Sequence, residues 1–156
     1  MTLAAKDIMV TDFDKIHEHA SAREAIGKIL HGRVRESGYK SVSLLVVNAG
    51  QELAGVVTMF DILYHLRPSF LNYGISGEEI SWQGHLKLFV ERLEEKKVEH
   101  IMSKNVVSAA PDEHIMVLLD RMVKNKYRRL PIAVNDKPMG IVYLEDIYYH
   151  LFKGHA

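Results

Sequence analysis

Apolar residues along the chain fall into stretches of two different periods. Ser21 followed by Glu24 forms a capping box, and Ala22, Ala25, Ile26, Ile29 and Leu30 then recur at helical spacing. That pattern predicts a helix ended by Gly32. Arg33 to Lys40 reads as a polar connector. Val42 to Val47 is a continuous apolar run, as expected of a strand covered on both sides. Asn48-Ala49-Gly50 supplies turn chemistry, Leu53 to Thr58 the next strand, and Phe60 to Leu66 a helix stopped at Pro68. Upstream, Lys6 to Met9 reads as a short turn and Phe13 to His17 as a small strand.

The second half follows the same rhythm. Val106 and Val107 predict a short strand and Pro111-Asp112 a helix cap. Ile115, Leu118, Leu119 and Met122 form a helix face, Leu130 to Val134 a strand, and Asn135 to Pro138 a turn. Gly140 to Tyr143 reads as the last strand and Glu145 to Phe152 as the last helix. The pattern is therefore written twice, most plainly as GVVTMFDILYHL from Gly55 and GIVYLEDIYYHL from Gly140. Asp61 answers Asp146, His65 answers His150, and Ile8-Met9 answers Ile101-Met102. Matched residues draw closer toward the ends of the copies, so the first copy carries extra residues, placed at Gly32 to Ser41 and Asn48 to Ala54. Between the copies lies a turn-rich stretch, Ser69 to Ser81. A helix over Ser81 to Lys97 follows, with Trp82, Leu86, Phe89, Val90 and Leu93 on one stripe. This helix belongs to neither copy; it either covers the duplicated core or meets a partner chain.

Composition narrows the function. The 156 residues are 47% hydrophobic and 26% charged, as in an ordinary globular domain. Lys+Arg and Asp+Glu both number 20, which argues against broad contact with a nucleic-acid backbone. With no cysteine, disulfides and thiolate chemistry are excluded. No apolar run is long enough for a membrane span and the first ten residues lack a signal-peptide layout, so a cytoplasmic protein is expected. The seven methionines are expected as core filler. His17 and His19 share a face at period two, but a third metal ligand at useful spacing is absent, and solvated histidines are expected. Nothing in the sequence assembles a nucleophile, a base and an oxyanion site, so no enzyme is expected.

The ordered double occurrence resembles the cystathionine-beta-synthase (CBS) domain. It is carried by Ile8-Met9, Ser21 to Ile26, Leu45 to Val47 and Gly55-Val56-Val57-Thr58 with Asp61, and by Ile101-Met102, Pro111-Asp112, Arg129-Leu130-Pro131-Ile132 and Gly140-Ile141-Val142 with Asp146. The resemblance implies an α/β chain of the α+β kind: two pseudo-twofold-related repeats with small sheets packed face to face and flanking helices, a Bateman module. Repeat one would occupy 1–66, the connector 67–97 and repeat two 98–156. It further implies a regulatory module that holds AMP, ADP, ATP or S-adenosylmethionine in an inter-repeat cleft, forms a homodimer through its helices, and acts on a partner protein. The alternative is a ligand-free interaction module.

The residues that would carry ligand binding follow from the matched positions. Asp61 and Asp146, at strand-to-helix turns, suit acceptance from both ribose hydroxyls. Thr58 adds a hydroxyl, although Thr58-x-x-Asp61 is equally a capping box that needs no ligand. In the second copy Tyr143 replaces the threonine; its ring either fills the cleft or stacks on a base. Arg128 and Arg129 match the family's phosphate position, and a guanidinium fork suits oxyanions. The alternative is a solvated pair flanking a strand. Thr58 and Asp61 would face Arg128 and Arg129, while Asp146 would face only Lys40, Ser41 and Val42. One equipped and one depleted cleft are therefore expected. His65 and His150, one helical turn after the aspartates, form either an Asp–His dyad or an ordinary helix-surface contact.

Overall fold

The computed structural model describes residues 2–155. The elements run α1 (Ala5–Ile8), β1 (Lys15–His17), α2 (Ala22–Leu30), β2 (Ser43–Val47), β3 (Leu53–Thr58), α3 (Met59–Leu66), α4 (Leu86–Glu94), α5 (Ile115–Asn125), β4 (Arg129–Val134), β5 (Lys137–Tyr143) and α6 (Leu144–Phe152). The first sheet has the order β1-β2-β3, with β1 parallel and β3 antiparallel to β2. The second is the antiparallel pair β4-β5. Both antiparallel pairs carry a register shift beside a repeated glycine, where Val46 meets Gly55 and Ile132 meets Gly140.

Several elements differ from the sequence expectation. Val106 and Val107 form no strand; a single parallel bridge, Ala109 to Ile132, stands in its place. Asn105 takes a left-handed φ of 58°, and Val106 packs between the sheets instead of extending one. The hairpin after β4 closes with two residues, Asn135 and Asp136, both at positive φ, so β5 starts at Lys137 rather than Gly140. Pro138, which has no N–H to donate, sits next to the register shift. Helix α5 is capped by the His114 ring, which accepts from the Met116 N–H at 3.0 Å, three residues after Pro111. Helix α4 is shorter than Ser81 to Lys97. Gly84 breaks it at φ +80°, the Trp82 indole donates to the Gly77 carbonyl at 2.8 Å, and the backbone beyond Glu95 pairs with residues 20–22. Of the expected stripe only Leu93 is buried.

The two cores do not follow the two copies. One gathers Ile16, Ala22, Ala25, Leu44, Val46 and Val57 together with Leu93, Val98 and Ile101 from beyond the connector. The other gathers Leu118, Met122, Leu130, Ile132 and Val142 with Ala5 and Ile8 from the N-terminus. Each copy's opening turn is thus buried under the other copy's strands. Val10 exchanges two backbone hydrogen bonds with Ile141, and Ser103 does the same with Val56. This exchange explains the repeated glycines. A Cβ on Gly55 would lie 2.6 Å from Met102 Sδ and 2.7 Å from the Ser103 carbonyl oxygen. One on Gly140 would lie 2.8 Å from Met9 Sδ. Leu45, Val56, Ile141 and Tyr143 then fill the space between the sheets.

Gly55→Ala is accordingly expected to lower stability by about 1–3 kcal/mol, the usual range for overpacking, because a backbone carbonyl cannot step aside as a side chain can. Gly27, inside α2 with nothing within 4 Å of its notional Cβ, is the control. Alanine there should add roughly 0.5–1 kcal/mol. Urea denaturation of both variants checks the pair; equal effects at the two glycines would contradict the packing account.

Candidate functional site

The C-terminal end of β3 and the first turn of α3 place Thr58 and Asp61 at one wall of an open cleft of about 820 Å³. Tyr127, Arg128 and Arg129 at the head of β4 line the same cleft, as do Ser103, Lys104 and Val106. The expected juxtaposition of Thr58 and Asp61 with Arg128 and Arg129 is therefore present. The cleft presents four cations, Lys104, Lys126, Arg128 and Arg129, against the single carboxylate of Asp61.

Thr58 and Asp61 form a complete capping box. Thr58 Oγ1 accepts the Asp61 N–H at 3.1 Å, and Asp61 Oδ2 accepts the Thr58 N–H at 2.9 Å and the Thr58 hydroxyl at 3.0 Å. Among the described residues Asp61 Oδ1 accepts only the Ser103 hydroxyl, at 3.0 Å. A carboxylate offers about four lone-pair positions, so three are occupied and one on Oδ1 is open. Capping leaves the carboxylate fixed, with one face available to a donor from the cleft. Engagement of two vicinal hydroxyls would require Ser103 to yield its bond.

Arg129 is half-buried, and among the described residues its Nε has no hydrogen-bond partner. Burial pushes its guanidinium down from the usual arginine range, against the opposing pull of Tyr143, Glu145 and Asp61. A buried donor left unpaired typically costs about 1–3 kcal/mol. Arg128 is exposed beside it.

The equivalent position around Asp146 is built differently. Asp146 is buried at 3% exposure, and so is Tyr143. The expected neighbours were Lys40, Ser41 and Val42, but the partner is Arg35. Its Nε donates to Asp146 Oδ2 at 2.9 Å and Oδ1 at 3.3 Å, its Nη2 to Glu145 at 2.7 Å, and its Nη1 to Ser41 Oγ at 3.1 Å. Ser37 donates to Asp146 Oδ1 at 2.6 Å. The guanidinium carbon lies 3.6 Å from the centre of the Tyr143 ring, and the Tyr143 hydroxyl is 3.4 Å from Ser43 Oγ. Lys40 turns away to the Leu30 carbonyl. Tyr143 thus fills the cleft, and Asp146 is held by Arg35 and Ser37. A cavity of about 350 Å³ remains next to this network.

Sequence reasoning missed Arg35 because it lies in a stretch that reads as a solvated connector. Its partner is 111 residues away, and a pair at that distance leaves no local pattern. The one available signal was that the extra residues of the first copy had to pack somewhere. His65 makes no hydrogen bond with Asp61. Burial, and secondarily Lys96, push its imidazole below the ordinary value, against the opposing pull of Asp61. His17 Nδ1 accepts the His19 N–H at 3.0 Å, and the two rings meet edge-on at 5.0 Å. His19 also lies 3.7 Å from both Glu18 and Glu99 at the surface. No helix among the described residues is long and apolar enough to cross a membrane.

Comparison with known proteins agrees with the fold and its duplication. The family model for the CBS domain matches residues 5–68 and 98–153. Among curated proteins, the chain is 27% identical over 128 residues to the zinc metalloprotease MJ0392 of Methanocaldococcus jannaschii, covering 78% of this chain and 36% of that protein. It is 28% identical over 142 residues to the homoserine O-acetyltransferase of Methanohalobium evestigatum, covering 90% of this chain and 22% of that one. The chain therefore spans well under half the length of these relatives. The CBS domain pair of protein MJ0100, solved in complex with 5'-methylthioadenosine and S-adenosyl-L-methionine, superposes with a TM-score of 0.68 at 21% identity, covering 100% of both chains. CBSX2 in complex with AMP superposes with a TM-score of 0.69 at 17% identity, covering 98% of both. At these identities the likeness is one of fold.

Proposed function

The chain belongs to the CBS-domain family, with two copies of the domain, and from that premise we propose that it is a regulatory module binding one adenosine phosphate in the cleft between Asp61 and Arg129. The repeats would occupy 1–66 and 98–156, joined by 67–97, in a cytoplasmic protein. The observation that carries the reading is a cleft lined by four cations and one carboxylate, with Thr58 and Asp61 lining the same space as Arg128 and Arg129. Asp61 would accept from a ribose hydroxyl, and Arg128 and Arg129 would hold phosphate oxygens in their guanidinium forks. The charge imbalance favours ATP and ADP over AMP, and all three over S-adenosylmethionine, whose sulfonium and ammonium groups would meet like charges. The reported AMP complex of CBSX2 supports a nucleotide in this fold. No reaction on the ligand is part of the proposal. The module would change shape or association for a partner protein.

Calorimetric titration with the four ligands tests this. One equivalent of ATP should bind, with a matching rise in melting temperature by mass action. Absence of any shift at millimolar concentration would favour the second reading, an interaction module without ligand.

One observation bears on assembly under either reading. Helix α3 exposes Phe60 at 72% and Leu63 at 53%, and α6 exposes Tyr148 at 68% and Phe152 at 47%. Rings pair along each helix, Phe60 stacked with Tyr64 at 6.4 Å and Tyr148 tilted against Phe152 at 5.2 Å. These matched aromatic faces are proposed as the homodimer surface, since aromatics are enriched in interface cores. A Phe60→Glu/Tyr148→Glu variant should sediment as a monomer where the parent sediments as a dimer. An unchanged dimer would place the interface elsewhere.

A further inference from the structure

We propose that the surface where the end of β1 meets the short turn Val98–His100 is a binding site for a divalent cation of the zinc class, with Glu18, His19 and Glu99 as its ligands. The site lies outside both clefts and does not depend on the nucleotide reading. Three observations carry it.

The first is convergence. His19 Nε2 lies 3.7 Å from Glu18 Oε1 and 3.7 Å from Glu99 Oε2. One ligand atom from each of the three residues lies within 4.8 Å of the other two. At 3.7 Å neither contact is a hydrogen bond, so the three groups face one another without closing on one another. Nitrogen and oxygen ligands around a tetrahedral zinc ion stand about 3.4 Å apart. Rotation of these surface side chains is enough to reach that spacing. His17 stays outside the set, because its Nδ1 accepts the His19 N–H and so holds the turn that carries His19. The pairing of His17 with His19 along the chain offered no third ligand; the fold brings Glu99 from the far side of the connector.

The second is the backbone beneath. The Glu18 N–H donates to the Val47 carbonyl at 3.0 Å, the Glu99 N–H to the Glu18 carbonyl at 2.9 Å, and the Val98 N–H to the Ala20 carbonyl at 2.8 Å. Val98 is fully buried under this junction. The main chain of all three ligands is thus fixed before an ion arrives, and only side-chain freedom is lost on binding.

The third is the donor set. Two carboxylates balance the charge of a divalent ion, and the imidazole adds a nitrogen. Magnesium and calcium prefer oxygen ligands alone, whereas imidazole suits zinc and its neighbours. Three protein ligands leave the fourth tetrahedral position to water. His100 Nε2 stands beside the site, 3.9 Å from the other Glu99 oxygen. An ion held here would fasten the segment after β1 to the turn that opens the second copy.

The test is calorimetric titration of zinc chloride, and separately of magnesium chloride, into the full chain with any affinity tag removed and no nucleotide present. The variants are His19→Ala, Glu99→Gln and, as a control for scattered surface histidines, His155→Ala, which is exposed near the C-terminus. The expected result is one equivalent of zinc at micromolar concentration, a matching rise in melting temperature and no magnesium heat. The zinc equivalent should be lost in His19→Ala and Glu99→Gln and kept in His155→Ala. Melting temperatures without metal show whether each variant is folded; if Glu99→Gln is not, His19→Ala, whose side chain is 59% exposed, carries the test. No zinc equivalent in the parent would overturn the proposal. So would one that survives in His19→Ala, or magnesium binding as tight as zinc. Failure of ATP to bind would remove the nucleotide reading and leave these outcomes unchanged.

Discussion

Replacing Arg35 by alanine is expected to lower the unfolding free energy by about 3–5 kcal/mol, the range for breaking a buried ion pair from one side. The side chains of Arg35 and Asp146 are each only 4% exposed, so neither charge has water to fall back on. Truncation removes the cation, its stacking on Tyr143 and the donor to Glu145, and strands a carboxylate whose one remaining donor is Ser37. Most of the loss comes from that stranded charge. The double variant Arg35→Ala/Asp146→Asn should therefore recover a large part of it, and the two substitutions should be strongly non-additive. Urea denaturation of the single and double variants measures this. Additive losses would mean that the buried pair is not the coupled unit its geometry implies. Mutating exposed Arg23, paired with Glu94 at 2.7 Å, should by contrast cost no more than about 1 kcal/mol.

Arg129→Ala is expected to act in the opposite sense. Among the described residues its Nε has no acceptor, so alanine removes an unpaired buried donor and should leave stability nearly unchanged. Its effect falls on the ligand. Hydrogen bonds to charged groups contribute about 1.5–3 kcal/mol each, so ATP affinity should drop roughly 10- to 100-fold. Arg129→Lys keeps the charge without the fork and should recover only part of the loss. Arg128→Ala should cost less, because that side chain is exposed and its charge is screened by water. Calorimetry with ATP separates these cases. Unchanged affinity in Arg129→Ala would remove the cleft between Asp61 and Arg129 from consideration as the phosphate site. The two arginines are thus expected to give opposite signatures, loss of stability at Arg35 and loss of ligand affinity at Arg129.

The duplication was legible because each copy repeats a local device. Apolar periodicity marked α2, β2, β3, α3 and α5, and the capping residues Ser21 and Thr58 lie where their spacing places them. The meeting of Thr58 and Asp61 with Arg128 and Arg129 across one cleft also followed from the matched positions. Elements governed by distant partners were less legible. Val106-Val107 has strand composition but finds its neighbours between the sheets, and α4 is cut short by backbone pairing to residues 20–22. The repeated Gly and Met were visible as a pattern. Their reason, that Met9 lies on Gly140 and Met102 on Gly55, required the fold.

What the amino-acid order by itself determined is whatever depends on residues within a few turns of one another: helix faces, caps, buried strands and the fact that the unit occurs twice. What only the tertiary structure decided is what closes the second of the two clefts. It depends on whether a cation from an irregular loop reaches a carboxylate 111 residues later. Burial fixes that pairing through the cost of leaving either charge alone, and burial is a property of the assembled chain that no short window of sequence contains.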